Sequence, residues 1–564
     1  MMQMTNKLYI TFLAGFGDCL SLICLLPSIR KTYPNHEIVF YIGGFGRSPI
    51  LCKEQLEAEK YADASGMWKT NEVKIINNLT YHSQLPQIKE FLRKSVLKEG
   101  DLLLDASFCE EIFNNQEPWF WQHEMKWPYN YANLELGQYS SETVNKTDEI
   151  DIIFEATHKN NKTVNDVLSK ERLKIIGIKP LTKSGNAEGF EADLANNRFW
   201  PKEKWHTLVQ RIIDAGHIPA ILGISDEDWE LYEKFKDHCV DFRNKSVGEV
   251  QCFIKHLDAM ICTNSWEWEV TSRHKRKIPT YCFFLKNPFF IENHVPRNQE
   301  FYDTCYVETD SNVTVDQVFE TVEYMIKHKK RPEVNYSVAM ITYKDDDTIE
   351  KTMENIVSNI GDNHLCVVHG TEEPNHTFNI INEMLPKNGK IMVAPWEHDF
   401  SQQKNYALSL CKSGWRILLD ADETLDSYTW GMLPWLMWRA EKQKIDCISL
   451  SRINVLEGMN KEQLQEYAQK QGWQLNGYFG NWINFPDFQK RIFYQNPVFS
   501  KLKIKYVGQT HEQIVGFEKE TALLNHPIHH HKSKERQEIG LKREHDQYRM
   551  KAEKVYRDVY DNCL

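Results

Sequence analysis

The chain has 564 residues, more than one hydrophobic core can serve, so two to four domains are expected. With 41% hydrophobic and 26% charged residues it has the make-up of a globular protein, and a formal net charge of −11 gives no overall electrostatic footprint for nucleic acid. Thirteen cysteines, odd in number and without a Cys-x-x-Cys pair, argue against a disulfide framework or a zinc ribbon and fit a reducing cytoplasm.

The first apolar stretch, residues 8–29, has the length of a membrane span or signal sequence. Gly15, Gly17 and Asp18 interrupt it, and an aspartate in mid-membrane is costly. It divides instead into a strand at 8–13, a glycine turn and a helix at 19–32, so no transmembrane segment is expected. Strands follow at 37–42, 101–105 and 173–178. A polar stretch at 159–170 reads as a crossing between two similar lobes. Beyond it come a helix at 205–215, strands at 217–222, 259–263 and 280–284, and helices at 250–256 and 318–328. Basic runs at 273–277 and 327–331 read as solvated faces or linkers. After Pro332 a new series starts, with strands at 336–342, 365–368, 390–394 and 416–419 and helices at 348–360, 377–384 and 401–411. Alternation of this kind predicts an α/β protein of parallel sheets with ligands beyond the strand carboxyl ends. The expected domains are 1–160, 161–332 and 333–564.

The most informative segment is Trp415-Arg-Ile-Leu-Leu-Asp-Ala-Asp-Glu423, a buried strand running into carboxylates spaced i, i+2. Such a pair can present hard oxygen ligands to a divalent cation, and a cation neutralises the charge a departing diphosphate develops. On its own the spacing is also that of an ordinary acidic turn. Further pieces accompany it: Asp399-Phe-Ser-Gln-Gln-Lys-Asn405, Arg491-Ile-Phe493, His511-Glu512 and His529-His-His531. In this order the segments resemble the family 2 glycosyltransferases, inverting enzymes of the GT-A fold, and most closely the lipopolysaccharide-core β-glucosyltransferase type.

The resemblance implies a donor site in which Asp420 approaches the ribose and Asp422 binds Mn²⁺ or Mg²⁺. A late histidine, His529 or His531 of the run that also holds His530, would complete the metal shell. Glu512 would be the general base, Arg491 would pair with diphosphate, and Lys404 and Asn405 would lie early in a helix facing the nucleotide. One departure stands out. His369 in Val367-Val-His-Gly370 occupies the place of a base-reading aspartate, which leaves the donor nucleotide open.

In the front half, Gly15-Phe-Gly-Asp18 with Pro27-Ser-Ile-Arg30 and Tyr33-Pro34 resembles the opening of heptosyltransferase-like GT-B enzymes, where the residue matching Asp18 is the catalytic base. The later Asn264-Ser-Trp-Glu-Trp-Glu269 departs from that pattern, with Trp266 for the phosphate-cradling glycine and Glu269 for a histidine. The implied whole is two GT-B-like Rossmann lobes followed by a GT-A domain. It would move sugar from a nucleotide-sugar donor to a glycan or other hydroxyl acceptor, with one catalytic centre or two. A modified DNA base as acceptor, and a non-catalytic sugar- or nucleotide-binding scaffold, are the alternatives.

Overall fold

The computed structural model describes residues 7–13, 36–43, 70–75, 98, 101–105, 174–180, 200–223, 227–245, 250, 253–254, 256–273, 277–285, 299–397, 399–412, 414–457, 459, 461–471, 474–476, 482–495, 504–508, 513–533 and 538. Asp18, Glu512, the 19–32 helix and the 159–170 crossing lie outside the described residues. The chain divides into two compact units, Met1–Arg331 and Pro332–Leu564.

The first unit holds two parallel sheets. Strands β1 (Lys7–Leu13), β2 (Glu37–Gly43), β3 (Thr70–Ile75) and β4 (Leu102–Asp105) lie in the order β3-β2-β1-β4. The second sheet comprises β5 (Ile175–Lys179), β6 (Ile218–Gly223), β7 (Val240–Arg243), β8 (Ala259–Thr263), β9 (Thr280–Phe283) and β10 (Cys305–Glu308). Its order, β10-β9-β8-β5-β6-β7, is the 3-2-1-4-5-6 of a doubly wound dinucleotide-type sheet. The strands at its centre are continuous apolar runs because helices cover both faces of such a sheet. Helices α1 (Lys202–Asp214), α2 (Glu227–Phe235), α3 (Trp266–Arg273) and α4 (Val315–His328) belong to this half. Thr314 and Gln317 close a capping box on α4, and Lys329 in the left-handed region ends it just before Pro332.

The second unit begins with the same winding. Strands β11 (Tyr336–Thr342), β12 (His364–His369), β13 (Lys390–Val393) and β14 (Gly414–Asp420) are parallel in the order β13-β12-β11-β14. They are joined by α5 (Ile349–Ile360), α6 (His376–Met384) and α7 (Phe400–Leu410). In α5 the buried Ile349, Thr352, Met353, Ile356 and Ile360 form one stripe at helical spacing, which seats that face on the sheet. Beyond Asp420 come β15 (Glu423–Leu425), α8 (Ser427–Lys442), β16 (Cys447–Glu457), α9 (Lys461–Gln471) and β17 (Leu475–Asn476). Then follow β18 (Trp482–Gln495), β19 (Lys505–Val507), β20 (Gln513–Val515) and β21 (Glu520–Ser533).

Strand β18 runs antiparallel on β14, and the sheet continues β18-β16-β21-β15. Winding reverses between β11 and β14, so the crevice beyond Thr342 and Asp420 is the topological switch point where ligands of such sheets bind. Among the described residues no helix is long and apolar enough to cross a membrane.

Candidate active site at the end of strand β14

Strand β14 delivers the Asp420-Ala421-Asp422 turn to the switch point, and α5 holds the turn from below. Thr352 Oγ1 donates to the Ala421 carbonyl at 2.9 Å. Asn355 accepts from Leu425 N at 3.1 Å and Trp430 Nε1 at 3.0 Å, and donates to Leu425 O at 2.8 Å. The two aspartates therefore leave a fixed backbone, yet they meet different neighbours.

Asp420 is enclosed by cations. Arg491 Nη2 lies 2.7 Å from Asp420 Oδ2 and 2.6 Å from Glu423 Oε1, and Lys404 Nζ lies 3.4 Å from Asp420 Oδ1. Glu423, fully buried, also accepts from the Asp420 N–H at 3.1 Å and faces Arg452 Nη1 at 3.6 Å. Burial alone would raise the Asp420 carboxyl, but the charges of Arg491 and Lys404 outweigh it and hold it far below the usual carboxylate range. Burial likewise opposes the Arg491 charge, and Asp420 and Glu423 overcome it, so its pKa rises well above the ordinary value.

Asp422 meets a histidine instead. His530 Nε2 lies 3.4 Å from Asp422 Oδ2, while its Nδ1 lies 2.8 Å from Asn454 Oδ1. Burial pushes the Asp422 carboxyl up, and His530 in its protonated form, through its hydrogen bond and charge, more than reverses this.

Strand alternation decides which histidine arrives. The histidine run is part of β21, where successive side chains point to opposite faces. His530 stands opposite Glu423 on β15 and Asn454 on β16. His529 and His531 point the other way, with His529 Nε2 3.9 Å from Asp426 Oδ2 and the two rings 6.3 Å apart. Of the three histidines, the one beside Asp422 is His530.

Lys404 and Arg491 are buried, and their charges are taken up by Asp420 and Glu423 rather than presented to a ligand. Asn405 donates to Tyr506 O at 2.9 Å and accepts from Tyr506 N at 2.8 Å. Ser401 donates to the Gly508 carbonyl. The Asp399–Asn405 segment thus staples α7 to β19, immediately before the His511-Glu512 pair. Its helix N-terminus is capped by Asp399, which accepts from Gln402 N at 3.0 Å.

His369 is fully buried, with Thr342 Oγ1 2.9 Å from Nδ1 and Thr371 Oγ1 2.6 Å from Nε2. Burial lowers its pKa, against smaller opposing pulls from Asn375 and Asp346. The next residue, Gly370, donates to Thr342 O at 2.8 Å and accepts from Trp396 N at 2.9 Å, drawing three strand ends together. A Cβ there would stand 3.3 Å from the Thr342 carbonyl and the Tyr343 ring. Above these ends Tyr343, Trp396 and Phe400 form a partly exposed aromatic cluster, with centroids 6.2 and 4.6 Å apart.

A divalent cation can be tested on the donor chemistry. Asp422 and His530 offer one hard oxygen and one imidazole nitrogen, a set that suits Mn²⁺ and is tolerable for Mg²⁺. Among the described residues no three His, Cys, Asp or Glu side chains form a cluster able to hold a metal. Two protein ligands fit a cation that takes its remaining partners from water and substrate phosphate, as Mg²⁺ usually does.

Arg452, Asn454 and Asp487 were missed in the sequence, and Glu423 and His530 stood out only as members of their runs. The available signal was period two: Arg452 and Asn454 flank Ile453, and Asp487, Gln489 and Arg491 alternate along β18.

Behind the site, His526 is buried and stacks on Tyr428 at 4.9 Å, with no hydrogen-bond partner for Nδ1 among the described residues. Burial lowers its pKa to about 4, against the pull of Asp426. A histidine depressed in the folded state binds its proton more tightly when unfolded, so stability falls as pH drops from about 6.5 towards 4. The loss amounts to roughly 3 kcal/mol. His526→Phe, which keeps the stacking, is expected to flatten the denaturation midpoint across that window. An unchanged acid profile would show that other groups set it.

No family model matches the chain, and no curated protein sequence does. Solved structures similar to it include a glycosyl transferase family 9 protein from Veillonella parvula, at 12% identity and a TM-score of 0.39 over 57% of this chain and 97% of that one. The E. coli heptosyltransferase WaaC with ADP-2-deoxy-2-fluoro heptose matches at 10% identity and 0.31, over 56% and 99%. S. aureus TarS 1-349 in complex with UDP matches at 16% identity and 0.19, over 22% and 37%. TM-scores of 0.39 and below define neither a family nor an activity for this chain.

Proposed function

We propose that the second unit is a metal-dependent, inverting glycosyltransferase domain of GT-A type that uses a nucleotide-sugar donor. One observation carries the reading. At the switch point of a β13-β12-β11-β14 sheet, an Asp-x-Asp turn has one carboxylate locked by Arg491 and Lys404 and the other beside His530. The locked carboxylate gives the turn its shape. Asp422 and His530 are the pair that would hold Mn²⁺ or Mg²⁺, which when bound offsets the negative charge of the diphosphate leaving group. Tyr343, Trp396 and Phe400 supply π faces for a nucleobase, and Asp420, a quarter exposed, borders the ribose.

Transfer joins the acceptor oxygen to the anomeric carbon as the diphosphate departs, and a carboxylate must take the hydroxyl proton. Glu512 is our candidate for that base; it falls between β19 and β20 in the sequence, outside the described residues. The acceptor is a glycan or another hydroxyl compound, a modified DNA base included.

For the first unit we propose a GT-B-like pair of lobes with a binding or structural role. Trp268, in the loop-helix segment after β8, is spent on packing against Phe284 at 5.9 Å and Phe301 at 5.4 Å. That use of the segment favours a role other than cradling phosphate.

The test is a thermal-shift and turnover screen of nucleotide sugars on the full chain, with and without Mn²⁺. One donor is expected to stabilise the protein only with metal, by about 2.7 kcal/mol at a hundred times its Kd. Glu512→Gln should keep that shift and lower transfer at least about a hundredfold. No response to any nucleotide sugar would sink the proposal.

A further inference from the structure

The hydrogen bonds around His530 can be followed from donor to acceptor. Asp487 receives Arg452 Nε at 2.9 Å, Arg452 Nη2 at 2.6 Å and Gln489 Nε2 at 2.7 Å. Burial would raise its carboxyl, but the Arg452 charge and these bonds keep it below the usual range, so it is ionised and only accepts. Asn454 stands two residues beyond Arg452 on β16, on the same face, with Nδ2 3.5 Å from Asp487 Oδ2. A carboxylate takes only donors. The amide must therefore turn its NH₂ to Asp487 and its oxygen to His530, its partner across the parallel β16–β21 pair. An amide oxygen only accepts, so the 2.8 Å contact requires the hydrogen on His530 Nδ1. In the neutral ring Nε2 then carries the lone pair, 3.4 Å from Asp422 Oδ2.

We propose that Asn454, oriented by the Asp487–Arg452 pair, is a positioning residue that fixes His530 as the Nδ1–H tautomer and keeps Nε2 for a divalent cation shared with Asp422. The proposal rests on the metal reading given above. Left to itself, His530 would favour the opposite tautomer, because Nε2–H could then donate to the Asp422 carboxylate. An outer partner that fixes the ring of a ligating histidine is typically worth ten- to a hundredfold in metal affinity, of the order of 1.4 to 2.7 kcal/mol.

The test uses the metal-free full chain with ¹⁵N-labelled histidine at about pH 9. The His530 signals are identified by their loss in His530→Gln. Wild type is expected to show protonated Nδ1 and bare Nε2. Asn454→Leu should move the proton to Nε2 and weaken binding of Mn²⁺ alone by about tenfold or more. Asn454→Asp, which keeps an acceptor opposite Nδ1, should retain the wild-type tautomer. A wild-type ring protonated on Nε2 overturns the proposal whether or not the leucine variant folds. So does a leucine variant with unchanged tautomer and unchanged Mn²⁺ affinity. Should the tautomer behave as expected while Mn²⁺ binds no form of the protein, the positioning by Asn454 holds and the metal reading is what fails.

Discussion

Asp422→Asn is expected to abolish divalent-ion-dependent turnover of the donor, lowering it by at least about two to three orders of magnitude. The asparagine keeps the shape of the side chain and leaves the Asp422 carbonyl free to accept from His531 N, a 3.0 Å bond that closes the turn. What disappears is the negative charge that, with His530, would hold a hard cation. The folded state should survive, because the Asp420–Arg491–Glu423 cluster beside it is untouched. Turnover with Mn²⁺ titrated against wild type and variant checks this, and wild-type metal dependence in the variant would remove Asp422 from the site. The parallel change Asp18→Asn probes the first unit. If it leaves every transfer intact while Asp422→Asn eliminates it, the chain has one catalytic centre. If each change removes a different transfer, it has two.

Arg491→Met should destabilise the second unit strongly, by about 3–5 kcal/mol. It strips the cation from two carboxylates at once, one of them on the fully buried Glu423. The pH dependence gives the effect a signature. In wild type the Asp420 carboxyl is held below its unfolded value, so its stabilisation is present above about pH 4 and is lost only in stronger acid. Without Arg491 the Asp420 carboxylate loses the largest charge opposing its burial, and its penalty should shrink as the pH falls from 7 towards 4. Urea midpoints at pH 7 and pH 4.5 should therefore differ less between variant and wild type at the lower value. A deficit of the same size at both would mean the loss is one of packing, not of charge. Combining Arg491→Met with Glu423→Gln should recover part of it, since the two residues are coupled.

The parallel half of this unit was legible to within a residue or two. Residues 336–342 and 416–419 are apolar runs between amphipathic helices, and the strands formed as Tyr336–Thr342 and Gly414–Asp420. The stretch from 424 to 495 was not. Helix α8 buries Tyr428, Trp430, Met432, Leu433, Trp435 and Met437 around much of its circumference and contains Pro434, so no single-face period marks it. Strands β16 and β18 carry arginine, asparagine and aspartate on the face that builds the site, which hides their strand character. The site shows the same division. Asp420 and Asp422 could be read because a strand runs into them. The partners of Lys404 and Arg491 could not, because a buried ion pair across 71 residues has no local pattern. The histidine run could be read, but only its pairing with β15 and β16 brings the middle one beside Asp422.

The sheet is assembled from two kinds of strand partner, and this sets an order on synthesis. Each of the first strands, β11 to β14, finds its neighbour among segments already made or soon to follow. The rest of the sheet comes later: β15 waits for β21, and the second edge of β14 waits for β18. As the ribosome releases residue 420, its carboxylate has Lys404 at hand, while Arg491 is still 71 residues away. The half-made domain therefore exposes an unpaired sheet edge and an incompletely compensated acidic turn until the C-terminal strands close over both. A nascent chain stalled before β21 should recruit chaperones and gain its protection from proteases late, in a single step.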